Sequence, residues 1–267
     1  MRRIEIRTVS PERPAVQSEA ASILTRRIVC VRVGRSKENR IRWSAKKTME
    51  KRKPYGSTVK EQYRAGARDR VQRFLLADGA VKGAILHGTR MVNEMRANHE
   101  LGVLESLILG RAFVAAGLMA ADLEHQGRIV LRIDCAGPIG GLVVEANGFG
   151  EVRGYLKQTP IPVDRPVEDT DLSSFFGDGM LTVTRHLSGA AAPFDSRVAL
   201  RNGNIAKDLA AYYLESEQIP AAFRLGIDFD PEGNVAGAGG LFLQALPTAD
   251  DALSGALEAR VSELPPL

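Results

Sequence analysis

Residues 101–123 run LGVLESLILGRAFVAAGLMAADL, and how this stretch is accommodated decides the fold. Leu104, Leu107, Ile108, Phe113, Leu118 and Met119 give a helix with apolar side chains over much of its circumference. Ala115, Ala116, Gly117, Ala120 and Ala121 let neighbours approach its axis closely. A helix of that kind belongs inside a domain, covered on two sides. Its most apolar part, Leu104–Leu123, still carries Glu105, Arg111 and Asp122, which count against a membrane span.

On either side of this helix the pattern changes to strands. Val71–Leu76 and Ala80–Leu86 flank Ala77-Asp78-Gly79, and Asp-Gly between apolar runs predicts a hairpin. A short helix is expected over Met91–His99. Beyond the long helix, Arg128–Cys135 alternates Ile129, Leu131 and Ile133 with Val130, Arg132 and Asp134, as a half-buried strand does. Strands over Gly140–Ala146, Glu151–Leu156, Met180–His186 and Asp195–Leu200 follow, with a Pro- and Asp-rich loop at Gln158–Thr170. Asn204 caps a helix over Ile205–Ser216. Phe223–Phe229 and Val235–Ala245 form a last hairpin, and Ala249–Leu264 a closing amphipathic helix begun by Thr248 or Asp250. The expected class is α+β: paired β-sheets with a buried long helix and flanking amphipathic helices. Strict strand–helix alternation is absent, so a doubly wound fold is not expected.

Charge divides the chain unevenly. Residues 1–68 hold 19 Lys/Arg against 6 Asp/Glu, net +13, whereas residues 69–267 hold 17 against 26, net −9. The first segment contains Arg2-Arg3, Arg26-Arg27, Lys46-Lys47 and Lys51-Arg52-Lys53, and its apolar periodicity is short. Ile28–Val33 alternates like a strand, but the sequence offers it no evident partner. Residues 1–68 are therefore expected to be a flexible basic extension, and 69–267 a folded core. Three readings of the extension stay open: a tail for nucleic acid or another anionic surface, a transit peptide, against which six acids count, and a stretch preceding the true start of translation. No Lys/Arg-led apolar leader opens the sequence, so no secretory signal is expected.

Several motifs invite chemistry and fail on context. Gly137-Pro138-Ile139-Gly140-Gly141 resembles a phosphate loop, but the strand pattern Leu142–Ala146 follows where a helix is required. Asp228-Phe229-Asp230-Pro231-Glu232-Gly233 would need a carboxylate at its twelfth position to hold calcium, and that position is Gly239. His87, His99, His125 and His186 form no i, i+4 metal pair, and no Gly-x-Ser-x-Gly elbow occurs. Cys30 and Cys135, the two cysteines, make neither a disulfide framework nor a zinc site, which needs about four Cys/His ligands. A reducing, cytoplasmic setting fits this usage. No catalytic constellation emerges.

Taken together, several segments resemble the core of the heat-shock protein 33 (33 kDa chaperonin) family. They are Asp69-Arg70-Val71 through Gly83-Ala84, the block Gly137, Pro138, Ile139, Gly140 and Gly141 with Glu145-Ala146-Asn147, and Gly150 followed by Glu151, Val152, Arg153, Gly154 and Tyr155. Leu181-Thr182-Val183, Ile205–Leu209 with Tyr212-Tyr213, Ser216–Pro220 and Gly239–Pro247 continue the match in one register over residues 69–267. The resemblance implies a cytoplasmic, ATP-independent holdase, not an enzyme, that binds unfolding proteins under oxidative or heat stress and dimerises when active. Membrane association is not expected. It also implies a C-terminal zinc domain with C-x-C and C-x-x-C pairs, whose oxidation releases the metal. This sequence has no such cysteines after Cys135, so no zinc, cofactor or redox-switch residue is carried over, and the activity is expected to be either constitutive or impaired. Client contacts are not identified by the motifs. Phe175-Phe176, in a polar loop, are candidates for exposed apolar contact or, equally, for loop anchors in the core. Outside the family, a small-molecule α+β enzyme or nucleic-acid binding through residues 1–68 are the alternatives.

Overall fold

A computed structural model describes residues 3–8, 29–35, 69–124, 126–163, 171–190 and 192–264. The strands are β1 (Arg3–Thr8), β2 (Val29–Arg35), β3 (Arg70–Leu76), β4 (Val81–His87), β5 (Arg128–Cys135), β6 (Gly141–Asn147), β7 (Glu151–Leu156), β8 (Gly179–His186), β9 (Phe194–Ala199), β10 (Ala221–Phe229) and β11 (Val235–Ala245). The helices are α1 (Thr89–His99), α2 (Val103–Met119), α3 (Ser173–Phe176), α4 (Ile205–Ser216) and α5 (Asp251–Ser262). The class is α+β. Strands β10-β11-β4-β3 form one antiparallel sheet and β7-β6-β5-β8-β9 another, and β1 and β2 join their edges into one strand order.

The long apolar helix lies between the two sheets, as its composition requires. α2 packs against β4, β10 and β11 of the four-stranded sheet and against β5, β6 and β7 of the five-stranded one. Ile108, Leu109, Phe113, Val114 and Leu118 are fully buried there. Each sheet contributes its alternate residues: Ile129, Leu131 and Ile133 from β5, Leu142, Val144 and Ala146 from β6, Leu86 from β4 and Phe242 from β11. The helix is long and apolar enough to cross a membrane by length and composition, but 78% of its most apolar window lies buried inside the fold.

Two differences from the sequence reading have local causes. α2 begins at Val103 and ends at Met119, after which Ala120–Asp122 tightens into a 3-10 turn. The small residues there continue a helical pattern, but Asp122 is drawn aside to Lys82 (2.8 Å) and Arg73 (3.3 Å) on the β3–β4 hairpin. The Ile28–Val33 strand is found as Val29–Arg35. Partners unseen in the sequence flank it: Arg3–Thr8 on one side and β7 on the other, both antiparallel. The remainder of the basic segment lies outside the described residues.

α1 is anchored by a buried acid. Asp69 accepts the amides of Arg90 (3.0 Å) and Met91 (2.6 Å), so a carboxylate closes the helix N-terminus in place of an N-cap side chain. Burial raises its pKa to about 6 against the lowering effect of those two amides, and nearby Glu94 adds to the rise. The folded state thus holds the Asp69 proton more tightly than the unfolded chain does. Between about pH 6 and 4 this group's contribution to stability should grow as pH falls, by roughly 2–3 kcal/mol in all. Urea midpoints at pH 4.5 and 7 measure it: Asp69→Asn should reduce the difference between the two. An unchanged difference would assign the effect elsewhere.

Candidate functional site

The four-stranded sheet is apolar on both faces. Its inner face packs on α2. On its outer face Leu241 lies opposite Ile85, Leu243 opposite Gly83, and Ala245 opposite Val81. Phe74 lies opposite Gly83 from the other side, and Leu76 opposite Val81. Gly83 makes room for this arrangement, because a Cβ there would stand 2.4 Å from the Phe74 ring and 2.9 Å from Leu243. Val81, Ala222, Leu241, Leu243 and Ala245 are buried in a cluster separate from the main core, with Phe74 and Ile85 at its margin.

Among the described residues one helix, α5, covers this face. Its Leu257 and Val261, with Leu253 beside them, close the cluster at i, i+4, i+8 spacing. Asp250 caps its start by accepting the Leu253 amide at 2.6 Å. Arg224 of β10 donates to the Val261 and Ser262 carbonyls at 3.0 and 3.2 Å, satisfying its last turn. The helix contacts β10 and β11, so the β3 side of the face is left partly open: Leu76 is 47% exposed. The cover thus rests on a cluster distinct from the main core.

The residues singled out from the sequence gather elsewhere. The amides of Gly137 and Ile139 donate to the carbonyls of Phe176 (2.7 Å) and Phe175 (3.3 Å). A Cβ on Gly137 would stand 2.5 Å from both of those oxygens, so the glycine permits the contact. Ile139 is fully buried, and Phe175 and Phe176 belong to the main core. The exposed reading of that pair is corrected: backbone bonds from the glycine block pull α3 onto the core and turn both rings inward. Pro138, Gly140 and Gly141 complete the turn into β6. On the outer face of the five-stranded sheet, Arg153 donates to both oxygens of Glu145 at 2.9 Å, with Arg128 at 3.4 Å. Glu151 accepts from Asn147 at 2.9 Å. Gly154 passes close to the Val143 carbonyl, and Tyr155 lies opposite Val143. These are contacts of sheet and turn.

Among the described residues, sites for chemistry are sparse. A cleft at the end of α2, lined by Val71, Gly117, Ala121, Asn147, Gly148 and Val152 among others, presents no titratable side chain. Cys135 is half-buried, and burial pushes its thiol pKa up, away from reactivity. Cys30 lies in β2, of which only the backbone is described. Among the described residues no group of three or more His, Cys, Asp or Glu could hold a metal, so zinc finds no fitting donor set there.

The family model described as Hsp33 protein matches residues 69–267. The chain belongs to the Hsp33 family. It is 40% identical over 202 residues to a 33 kDa chaperonin of Thermus thermophilus, covering 74% of this chain and 59% of that one. It is 38% identical over 204 residues to a 33 kDa chaperonin of Prochlorococcus marinus, covering 73% and 67%. The crystal structure of a 33 kDa chaperonin from Thermotoga maritima superposes with a TM-score of 0.65 at 33% identity, covering 73% of this chain and 68% of that one. The chain thus spans about three fifths of the length of the Thermus relative. The glycine block and the β7 motif lie inside the Hsp33 match, and so do the outer sheet face and α5. Sequence reasoning missed that face, although one signal was available: Leu241-Phe242-Leu243 is apolar at consecutive positions, as in a strand buried on both sides.

Proposed function

We propose that this chain acts as an ATP-independent holdase in the cytoplasm, binding unfolding proteins through the outer face of its four-stranded sheet, with α5 as a displaceable cover. The activity is binding, not catalysis. The observation that carries the reading is the separate apolar cluster of Val81, Ala222, Leu241, Leu243 and Ala245 beneath α5. Exposed clients present apolar segments, and a contiguous apolar sheet face is a surface that can receive them. The name 33 kDa chaperonin carried by the relatives supports the same class. The net charge of −9 over residues 69–267 would keep the loaded protein soluble. The proposed binding is placed in residues 69–267, whose one cysteine, Cys135, is half-buried with its thiol pKa raised, so client capture by these residues is proposed not to need oxidant. Dimer formation belongs to the same reading.

Light scattering of a heat-denaturing client tests it. Adding the chain should suppress aggregation equally with and without peroxide. Suppression only with peroxide would contradict oxidant independence, and none in either condition would refute the holdase.

A further inference from the structure

The strand order leaves a gap between the two sheets and fills it. β3 closes the four-stranded sheet and β7 the five-stranded one, and β1 and β2 lie side by side between them. With neighbouring strands about 4.8 Å apart, the gap between β3 and β7 is about 14 Å wide. Each neighbouring pair is antiparallel, so β3 and β7 run in opposite directions, and two mutually antiparallel strands, the arrangement of a β-hairpin, continue the ladder. Slot and filling differ in origin: the Hsp33 match starts at residue 69, so β3 and β7 lie inside it and β1 and β2 outside. The filling is held along short seams. Residues 3–5 of β1 pair with residues 70–72, and residues 29–32 of β2 with residues 151–154, whereas β3 pairs with β4 along the whole of Arg70–Leu76. The floor is apolar. α1 packs against both strands, and Val71 and Val152, the register partners of Ile4 and Val31, line the cleft at the end of α2.

We infer that this gap is a strand-accepting site for an unfolding client, in which β1 and β2 stand where a client hairpin would pair. The inference rests on the holdase reading and gives it a second surface. Strand edges bind through main-chain amides and carbonyls, which every protein has, so the slot takes clients of unrelated sequence. Its polarity selects antiparallel pairs of extended segments, which an unfolding β-sheet releases. Its apolar floor favours segments that turn β-branched side chains inward. β1 and β2 compete for the slot from within the chain, so client affinity scales with the fraction of time they leave it open.

Covering a strand edge also prevents aggregation, and a permanent cover and an exchangeable one respond differently to a lock. Cys30 of β2 is the register partner of Arg153 of β7. Such partners have Cα atoms about 4.5–5.5 Å apart, within the span of a disulfide. The full chain carrying Arg153→Cys should therefore cross-link to Cys30 on mild oxidation, as read by mass spectrometry of the joined peptides. The probe is a fluorescein-labelled hairpin peptide of alternating Val and Thr joined by Asn-Gly, followed by fluorescence anisotropy. The oxidised Arg153→Cys chain should bind it at least about tenfold more weakly than the same chain reduced. Arg153→Ala, which also loses the Glu145 contact, should bind alike in both conditions. Val31→Pro should act in the opposite sense. Val31 is paired on both sides, with Thr8 and Val152, so proline removes a ladder hydrogen bond and probe binding should tighten by about threefold. This second variant lies outside the matched core and tests the slot even if Arg153→Cys misfolds. Absence of the cross-link in a folded chain overturns the inference, as does probe binding that neither the lock nor Val31→Pro changes. Light scattering of a heated client reads the holdase separately: suppression by the wild-type chain together with unchanged probe binding sinks this inference alone.

Discussion

Gly141→Ala should lower the unfolding free energy by about 4 kcal/mol. Gly141 opens β6 with φ of 120°, a conformation open to glycine and strained for alanine. A Cβ there would stand 2.1 Å from the carbonyl oxygen of Ile133, far inside contact distance. Nothing near it can yield cheaply. Ile133 belongs to β5, which is held between β6 and β8, and its side chain lies in the main core. The Gly141 carbonyl is itself engaged, accepting the Lys157 amide at 2.9 Å. The neighbouring glycine provides the control. Gly140 also has a positive φ, 60°, but its Cβ would meet nothing nearer than Lys157 Cβ at 3.8 Å. Gly140→Ala should therefore cost only about 1 kcal/mol, the left-handed backbone term alone. Urea unfolding of the two variants measures the difference, and equal losses would show that the Ile133 contact is not what demands glycine.

This pair of glycines shows how far the sequence could be read. The turn was legible, because Gly-Pro and Gly-Gly between alternating apolar runs punctuate strands. Which glycine is indispensable was not, since that depends on the carbonyl of a different strand. The same division runs through the fold. Asn204 announced α4, and it does accept the amides of Ala206 and Lys207. The apolar excess of residues 101–123 announced a helix covered on two sides, because composition alone fixes how much of a helix can face water. Phe175 and Phe176 could not be placed from a polar loop, for their burial is imposed by amides some 37 residues earlier in the chain. The outer sheet face was hidden for a related reason. Leu253, Leu257 and Val261 declare an amphipathic helix, but only the register of β4 against β11 makes its partner a continuous apolar surface.

That surface yields the other large effect. Leu257→Asp should release α5 while leaving the domain folded. Leu257 is 4% exposed and sits among Ala222, Leu241 and Leu243, so a carboxylate there would be buried without a partner. Such burial costs several kcal/mol, and the cost falls on the contact that holds α5 against the sheet. The chain escapes the cost by undocking the helix, because the cluster beneath α5 is separate from the core around α2. Undocking uncovers Leu241, Leu243 and Ala245 and joins them to the already open Leu76. Binding of an apolar fluorescent dye should rise several-fold, and aggregation of a heated client should be suppressed at a lower ratio of chain to client. Hydrogen exchange should locate the change: the α5 amides lose protection while those of α2 and β5 keep theirs. If dye binding rises but client suppression falls, α5 is itself part of the client site and not its cover. If protection is lost throughout, the two clusters fold as one unit, and the idea of a separable cover fails with it.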